Sequence, residues 1–372
     1  MYLVIERSVL AKAVSHVQSV AEKRNAIPIL SNILFDAESD QLTLTATDMD
    51  VSIVEQVPAQ VHRPGSITMP AQILHDLLSK LPDGLEVEMK LDEDSNRMQI
   101  SAGRSKFMLA TQPKQDFPLV ETSAMPVQFM IAAAELKRLI DKTIRCVARE
   151  ETRYYLTGIF LHRAETPEGQ MLGAVSTDGH RLARALAPLP SGAEALEGLI
   201  LPAKTSAELS RLLDQTEGEV RFAASETKVH VTIGRVQIIS KVVDGTFPDY
   251  RQVIPTQNDK VLHVDRQAFR AALDRVSTIV SDRTHSVKML VEPGTLTLSA
   301  NSTDQGTAAE PVEADYNQEV IDSGFNARYL LEIVSQIEGD WLRLSFFDGA
   351  KPALVNDTAD PNVLFVMMPM RV

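Results

Sequence analysis

A helix with one apolar and one basic face recurs three times along this chain, and that recurrence constrains the fold more than any other feature. In the middle copy, residues 132–147, the side chains Leu136, Leu139, Ile140, Thr143 and Val147 share one face at three- and four-residue spacing. Lys137, Arg138, Lys142, Arg145 and Arg149 occupy the other face, against only Glu135 and Asp141. Residues 153–160 then change period and read as a strand. The helical spacing also runs through Leu10, Ala13, Val14 and Val17, and again through Phe269, Leu273 and Val276. Leu10, Leu136 and Phe269 are equivalent positions, at intervals of 126 and 133 residues.

Each copy continues to a second helix opening at Pro70-Ala71, Pro202-Ala203 or Asn326-Ala327, where a proline or an Asn cap suits the first turn. An acidic or glycine turn follows each: Asp83-Gly84, Glu217-Gly218, Gly339-Asp340. The remainder alternates apolar and β-branched or polar residues, as in Leu42-Thr43-Leu44-Thr45 and Leu296-Thr297-Leu298-Ser299. A solenoid or propeller repeat runs roughly 20–50 residues, so a period this long is that of a domain. The expectation is an α+β chain of three similar domains, residues 1–125, 126–256 and 257–372. Each has two helices packed on antiparallel sheets.

The 372 residues give room for three cores. No apolar run approaches the ~20 residues of a membrane span, and Met1-Tyr2-Leu3-Val4-Ile5 reads as a first strand, not a signal peptide. The single cysteine, Cys146, excludes a disulfide framework within one chain and reads as a small apolar filler. The expected location is a reducing cytoplasm. A net charge of −13 opposes nucleic-acid binding by the molecule as a whole. Distribution reverses that argument locally. Acidic residues gather in turns such as Asp92-Glu93-Asp94, whereas basic ones gather on helices. Helices sharing one surface would make a positive face on an acidic body that DNA otherwise avoids.

Catalytic motifs are missing. The sequence has no Gly-x-x-x-x-Gly-Lys-Ser/Thr loop, no His-Glu-x-x-His, no Gly-x-Ser-x-Gly and no Gly-x-Gly-x-x-Gly after a strand. Thr177-Asp178-Gly179-His180-Arg181 concentrates reactive groups, but neighbours in a strand face opposite ways and Asp178-Gly179 is a turn signal. The reading is a turn, with no catalytic residue and no cofactor. Tyr154-Tyr155 beside Arg149 and Arg153 suits stacking on bases or bracing a phosphate contact.

Six segments, in order, resemble the bacterial sliding clamps, the β subunits of DNA polymerase III. They are Ile27-Pro28-Ile29-Leu30-Ser31-Asn32, Thr45-Ala46-Thr47-Asp48, Arg153-Tyr154-Tyr155-Leu156-Thr157-Gly158, Thr177-Asp178-Gly179-His180-Arg181-Leu182-Ala183, the stretch from Lys241 through Phe247-Pro248-Asp249-Tyr250, and Val366-Met367-Met368-Pro369-Met370-Arg371-Val372. The resemblance covers the whole chain. It implies a DNA-clamp fold, dimerising head to tail into a ring with helices lining the hole, and a processivity factor that slides on duplex DNA and tethers polymerases. The alternative is a repeat-built interaction scaffold that does not encircle DNA.

The resemblance also implies site residues. Arg24, Gln72, Arg104, Arg149, Glu150, Tyr154, Tyr155 and Lys204 match DNA-contact positions; family members often carry Arg at the position of Gln72 and Gln at that of Glu150. An apolar pocket for a short peptide from polymerases, the clamp loader and repair polymerases is implied at Arg153, Leu156, Thr177, Gly179, His180, Arg181, Leu182, Pro248, Gln252, Val253, Val366, Met368, Pro369, Met370 and Arg371. Methionines suit a surface that re-packs around several partners. Gln252 stands where some members have arginine. Phe107 and Leu109 would meet Thr278 and Ile279 of a second copy at the ring joint.

Overall fold

The computed structural model describes residues 1–22, 27–118, 124–280 and 285–371. Among them are six α-helices: α1 (Arg7–Val17), α2 (Ala71–Lys80), α3 (Ala133–Ile144), α4 (Ala203–Leu213), α5 (Arg266–Ser277) and α6 (Ala327–Val334). The strands pair antiparallel in sheets of five, eight and twelve. The chain divides into two compact units. One comprises Met1–Ala134, Ser191–Ala195 and Glu208–Val242, the other Glu135–Pro190, Leu196–Ala207 and Val243–Val372.

In the first unit α1 buries Leu10, Ala13, Val14 and Val17, the face its periodicity predicts, and packs on α2 and the strand Val51–Pro58. Arg7 fastens the pair: its Nε donates to the Leu78 carbonyl near the end of α2 at 2.9 Å, and its guanidinium meets Asp83 at 2.5 Å. The eight-stranded sheet is built by pairing Val51–Pro58 with Val236–Lys241, Ile53 opposite Ile238. Among the described residues Ser105–Ala110 is an outermost strand of the five-stranded sheet, paired on one side only.

In the second unit α5 buries Phe269, Ala272, Leu273 and Val276, and packs on α6, which buries Leu330, Ile333 and Val334. Asp265 caps α5, accepting from the Ala268 amide at 2.7 Å, and Asn326 caps α6, accepting from Tyr329 at 3.2 Å. Such caps are worth about 1 kcal/mol each. The twelve-stranded sheet joins Arg181–Pro188 to the last strand, Val363–Met367, with Leu182 opposite Val366. Thr295–Ser302 alternates buried and half-buried residues over its first six positions, as its sequence predicts.

Two expectations fail. Residues 153–157 are not strand: Glu151–Leu156 is a 3-10 turn, and the strand begins at Gly158. Three-residue hydrogen bonds hold the turn, Arg153 N–H to Glu150 and Thr157 N–H to Tyr154. Gly158 is required where the chain straightens, because a Cβ there would lie 2.4 Å from the Leu201 carbonyl oxygen. The polar face of α3 is also not a free positive surface. Lys142 is 4% exposed and binds Glu338 at 2.7 Å. Arg138 is held by Glu135 and Asp360, and Lys137 by Asp141. Arg145 and Arg149 remain exposed.

Candidate peptide pocket and nucleic-acid interface

The second unit contains an apolar cluster formed by Ala148, Leu156, Val175, Leu182, Ile200, Phe247, Tyr250, Leu364 and Val366. Strand pairing explains part of it, since Leu182 and Val366 are cross-strand partners. Leu156 enters from the end of the 3-10 turn, and Phe247 and Tyr250 from a segment without strand structure. Around this cluster large apolar groups face solvent: Val253 is 49% exposed and Met368 43%. Pro248 and Gln252 are exposed, and Pro369 and Met370 half-buried. Arg371 is exposed.

The turn at 177–182 is fixed by its own hydrogen bonds. Asp178 Oδ1 accepts from the amides of His180 at 2.9 Å and Arg181 at 3.0 Å, and Thr177 Oγ1 donates to the Arg181 carbonyl at 2.7 Å. Gly179 has φ +87°, and a Cβ there would meet Arg153 Nη1 at 2.6 Å. His180 is exposed, and its carbonyl accepts from the Met368 amide at 2.9 Å. Asp178 and His180 thus serve a turn and present no nucleophile–base pair.

Arg181, unlike His180 before it, is buried, at 7% exposed. It binds Asp178 at 3.1 Å, Glu332 at 2.6 Å and the Arg145 carbonyl at 2.5 Å, with its guanidinium 4.1 Å from the centre of the Tyr329 ring. Sequence reasoning missed Tyr329 and Glu332: in α6 they read as generic helix positions. Together with Arg149, Glu150, Arg153 and Arg328 they line a cavity of about 190 Å³ beside the turn.

The expected DNA positions lie on several elements. Arg24 falls outside the described residues. In the first unit Gln72 is half-buried on α2, its amide tied to Asp76 at 2.7 Å, and Arg104 is exposed in a turn between strands. In the second unit Arg149 and Glu150 are exposed after α3, and Lys204 on the first turn of α4. Glu150 pairs with Arg153 at 2.9 Å, which offsets a charge that would repel phosphate. Tyr154 is 54% exposed and sits edge-on to Tyr155, which packs on the apolar cluster. The turn, not strand alternation, separates the two rings.

The ring-joint positions also have distinct settings. Phe107 and Leu109 are half-buried on the outermost strand of the five-stranded sheet, flanking Met108, which is 44% exposed. Thr278 is exposed just after α5, with its hydroxyl donating to the Arg275 carbonyl at 2.7 Å, and Ile279 is half-buried. Cys146 is buried, and burial pushes its thiol up to about 12, far from a reactive thiolate. No cluster of three metal-ligating side chains exists among the described residues.

Helix pairs packed on continuous antiparallel sheets, beside an apolar cluster with exposed rim residues, are the architecture of a DNA clamp. Family models for the N-terminal, central and C-terminal domains of the DNA polymerase III beta subunit match residues 1–121, 130–249 and 251–371. The beta sliding clamps of Caulobacter vibrioides and Escherichia coli are 46% and 33% identical over 372 residues, covering the whole of each chain. Two crystal structures align over the entire chain: a C. crescentus beta sliding clamp with PEG bound (TM-score 0.96, 46% identity, 99% of that chain) and a Bartonella birtlesii sliding clamp bound to griselimycin (0.97, 42%, all of that chain). The chain belongs to the DNA polymerase III beta subunit family, the bacterial sliding clamps.

Proposed function

We propose that the chain is the processivity factor of a replicative DNA polymerase, acting as a head-to-tail dimer closed around duplex DNA. Retention is then topological, so phosphate contacts stay weak and salt-sensitive and the ring slides. Arg24, Gln72, Arg104, Arg149, Tyr154, Tyr155 and Lys204 supply those contacts. Glu150 acts through its pairing with Arg153. Phe107 and Leu109 meet Thr278 and Ile279 of the second copy, and the outermost strand Ser105–Ala110 supports this because an unpaired strand edge invites pairing. The three similar domains follow the boundaries 1–125, 126–256 and 257–372.

The observation that carries the tethering half of the proposal is the apolar cluster with Leu156, Leu182 and Val366 at its centre and Val253 and Met368 exposed. It takes a short apolar peptide from polymerases, the clamp loader and repair polymerases. Tethering raises the polymerase's effective concentration at the primer end without demanding high affinity. Cytoplasmic residence fits this role.

The test is retention on DNA of differing topology. The protein is loaded onto nicked circular duplex by its clamp loader and ATP, half the sample is linearised, and bound and free protein are separated. Loss on linear DNA with survival on circles in moderate salt is expected. Equal behaviour on both forms would overturn encirclement in favour of a surface-bound scaffold.

A further inference from the structure

The wall of the apolar pocket, Phe247 to Val253, has little regular structure of its own beyond a 3-10 turn at Tyr250–Val253. Its outward residues, Pro248, Gln252 and Val253, are exposed; its inward ones, Phe247 and Tyr250, are 8% and 7% exposed. The wall therefore hangs on two aromatic anchors. What those anchors rest on is a pair of residues on the strand Gly158–Thr166, where two-residue periodicity sets Phe160 and His162 on one face.

The contacts form a column. Phe247 stacks on Phe160 with ring centres 4.9 Å apart and planes 3° from parallel. Phe160 stacks on His162 at 4.4 Å and 14°. His162 meets the Tyr250 ring edge-on at 5.5 Å, and its Nε2 is hydrogen-bonded to the Tyr250 hydroxyl at 3.1 Å. Both anchors are thus fixed by one two-residue stack, and only the Tyr250 end has a directional bond.

Two glycines make room for the stack. A Cβ on Gly173, the cross-strand partner of His162, would stand 2.9 Å from His162 Cε1. A Cβ on Gly198, whose φ is +148°, would stand 2.6 Å from the Phe160 ring. The strands beneath the wall are shaped around these two rings.

We propose that His162 is a positioning residue for peptide recognition: through its hydrogen bond to Tyr250 it holds the wall that presents Pro248, Gln252 and Val253 to the bound peptide. The proposal rests on the peptide-pocket reading above. His162 does not itself touch the peptide; it sets how firmly the wall stays in its binding-competent position, so its contribution emerges in dissociation more than in encounter.

The test uses the full dimeric clamp and a fluorescein-labelled apolar peptide from the cognate polymerase. Dissociation is measured for wild type, Tyr250→Phe, His162→Phe and the double variant. Tyr250→Phe removes one oxygen and leaves the packing, so it keeps the test valid should His162→Phe fold poorly. Each single variant is expected to speed dissociation about five- to tenfold, the range of one net hydrogen bond. The double variant is expected to be no faster than either single one, because both remove the same bond. Amide exchange across 245–253 should rise in both. Dissociation within twofold of wild type for Tyr250→Phe, or single effects that multiply in the double variant, would overturn the assignment. A wild-type clamp that bound no peptide would overturn the pocket itself.

Discussion

Lys142 separates a structural reading of α3 from an electrostatic one. By sequence it belongs to a basic face turned toward DNA. In the structure it lies 4% exposed, 2.7 Å from Glu338 and 3.8 Å from Asp357, and it donates to the Gln336 carbonyl. Lys142→Met preserves chain length and apolar stem while deleting the charge. Breaking a buried ion pair typically costs about 3–5 kcal/mol. Two features lower that here. Glu338 is 74% exposed at its side chain and returns to water. Asp357 keeps three backbone donors, the amides of Glu338, Gly339 and Ala359 at 2.8, 3.0 and 2.9 Å. A loss of about 2–3 kcal/mol remains. The chain's single tryptophan, Trp341, lies three residues beyond Glu338 and reports on this region. In urea its fluorescence midpoint should fall by about 1 M if the transition has a slope near 2 kcal/mol per molar. DNA retention should show an unchanged salt slope, since each phosphate contact would contribute about 0.9 to that slope. An unmoved midpoint with a shallower salt slope would refute the assignment of Lys142 to the fold.

Three further outcomes follow from the same geometry. Val253→Asp and Met368→Asp should each weaken apolar-peptide binding by tenfold or more in a polarisation titration while the melting temperature stays within about 2 °C, because both side chains already face solvent. Burial lowers the pKa of His162 to about 4, aided by the nearby charges of Arg251 and Arg184. The unfolded chain therefore takes up this proton first, and wild type should lose about 3 kcal/mol relative to His162→Phe as pH falls from about 6.5 to about 4, measured by urea unfolding at stepped pH. Gly349→Ala should destabilise the second unit severely, by more than about 3 kcal/mol, since its Cβ would fall within 2.0 Å of the Asp322 carbonyl oxygen; a near-normal Trp341 unfolding curve would count against it.

The sequence made the helices legible because their burial is local: the apolar face of α1, the Asn326 end of α6 and the alternation in Thr295–Ser302 each need only neighbouring residues. The expectation of an apolar pocket came through resemblance, and two of its expected residues, Leu182 and Val366, are brought together by strand pairing 184 positions apart. Lys142 was not legible, as the carbonyl it serves lies 194 residues on. Nor was the 3-10 turn at Glu151–Leu156: Tyr154-Tyr155-Leu156 has strand composition, and only the bonds back to Glu150 and Tyr154 reveal its true period. Phe160 and His162 were on one face by simple alternation, yet what stacks on them comes from the 247–250 segment and had no local signal.

The family's central segment, residues 130–249, contributes strands to two different sheets. Val236–Lys241 pairs outward with Val51–Pro58, and Arg181–Pro188 pairs outward with Val363–Met367. Excised alone, that segment would carry two naked ladders of amides and carbonyls. It should aggregate where the intact chain does not. The family's segments and the compact units thus divide this polypeptide differently, and a cut at either end of the central segment leaves an unpaired strand edge on each piece.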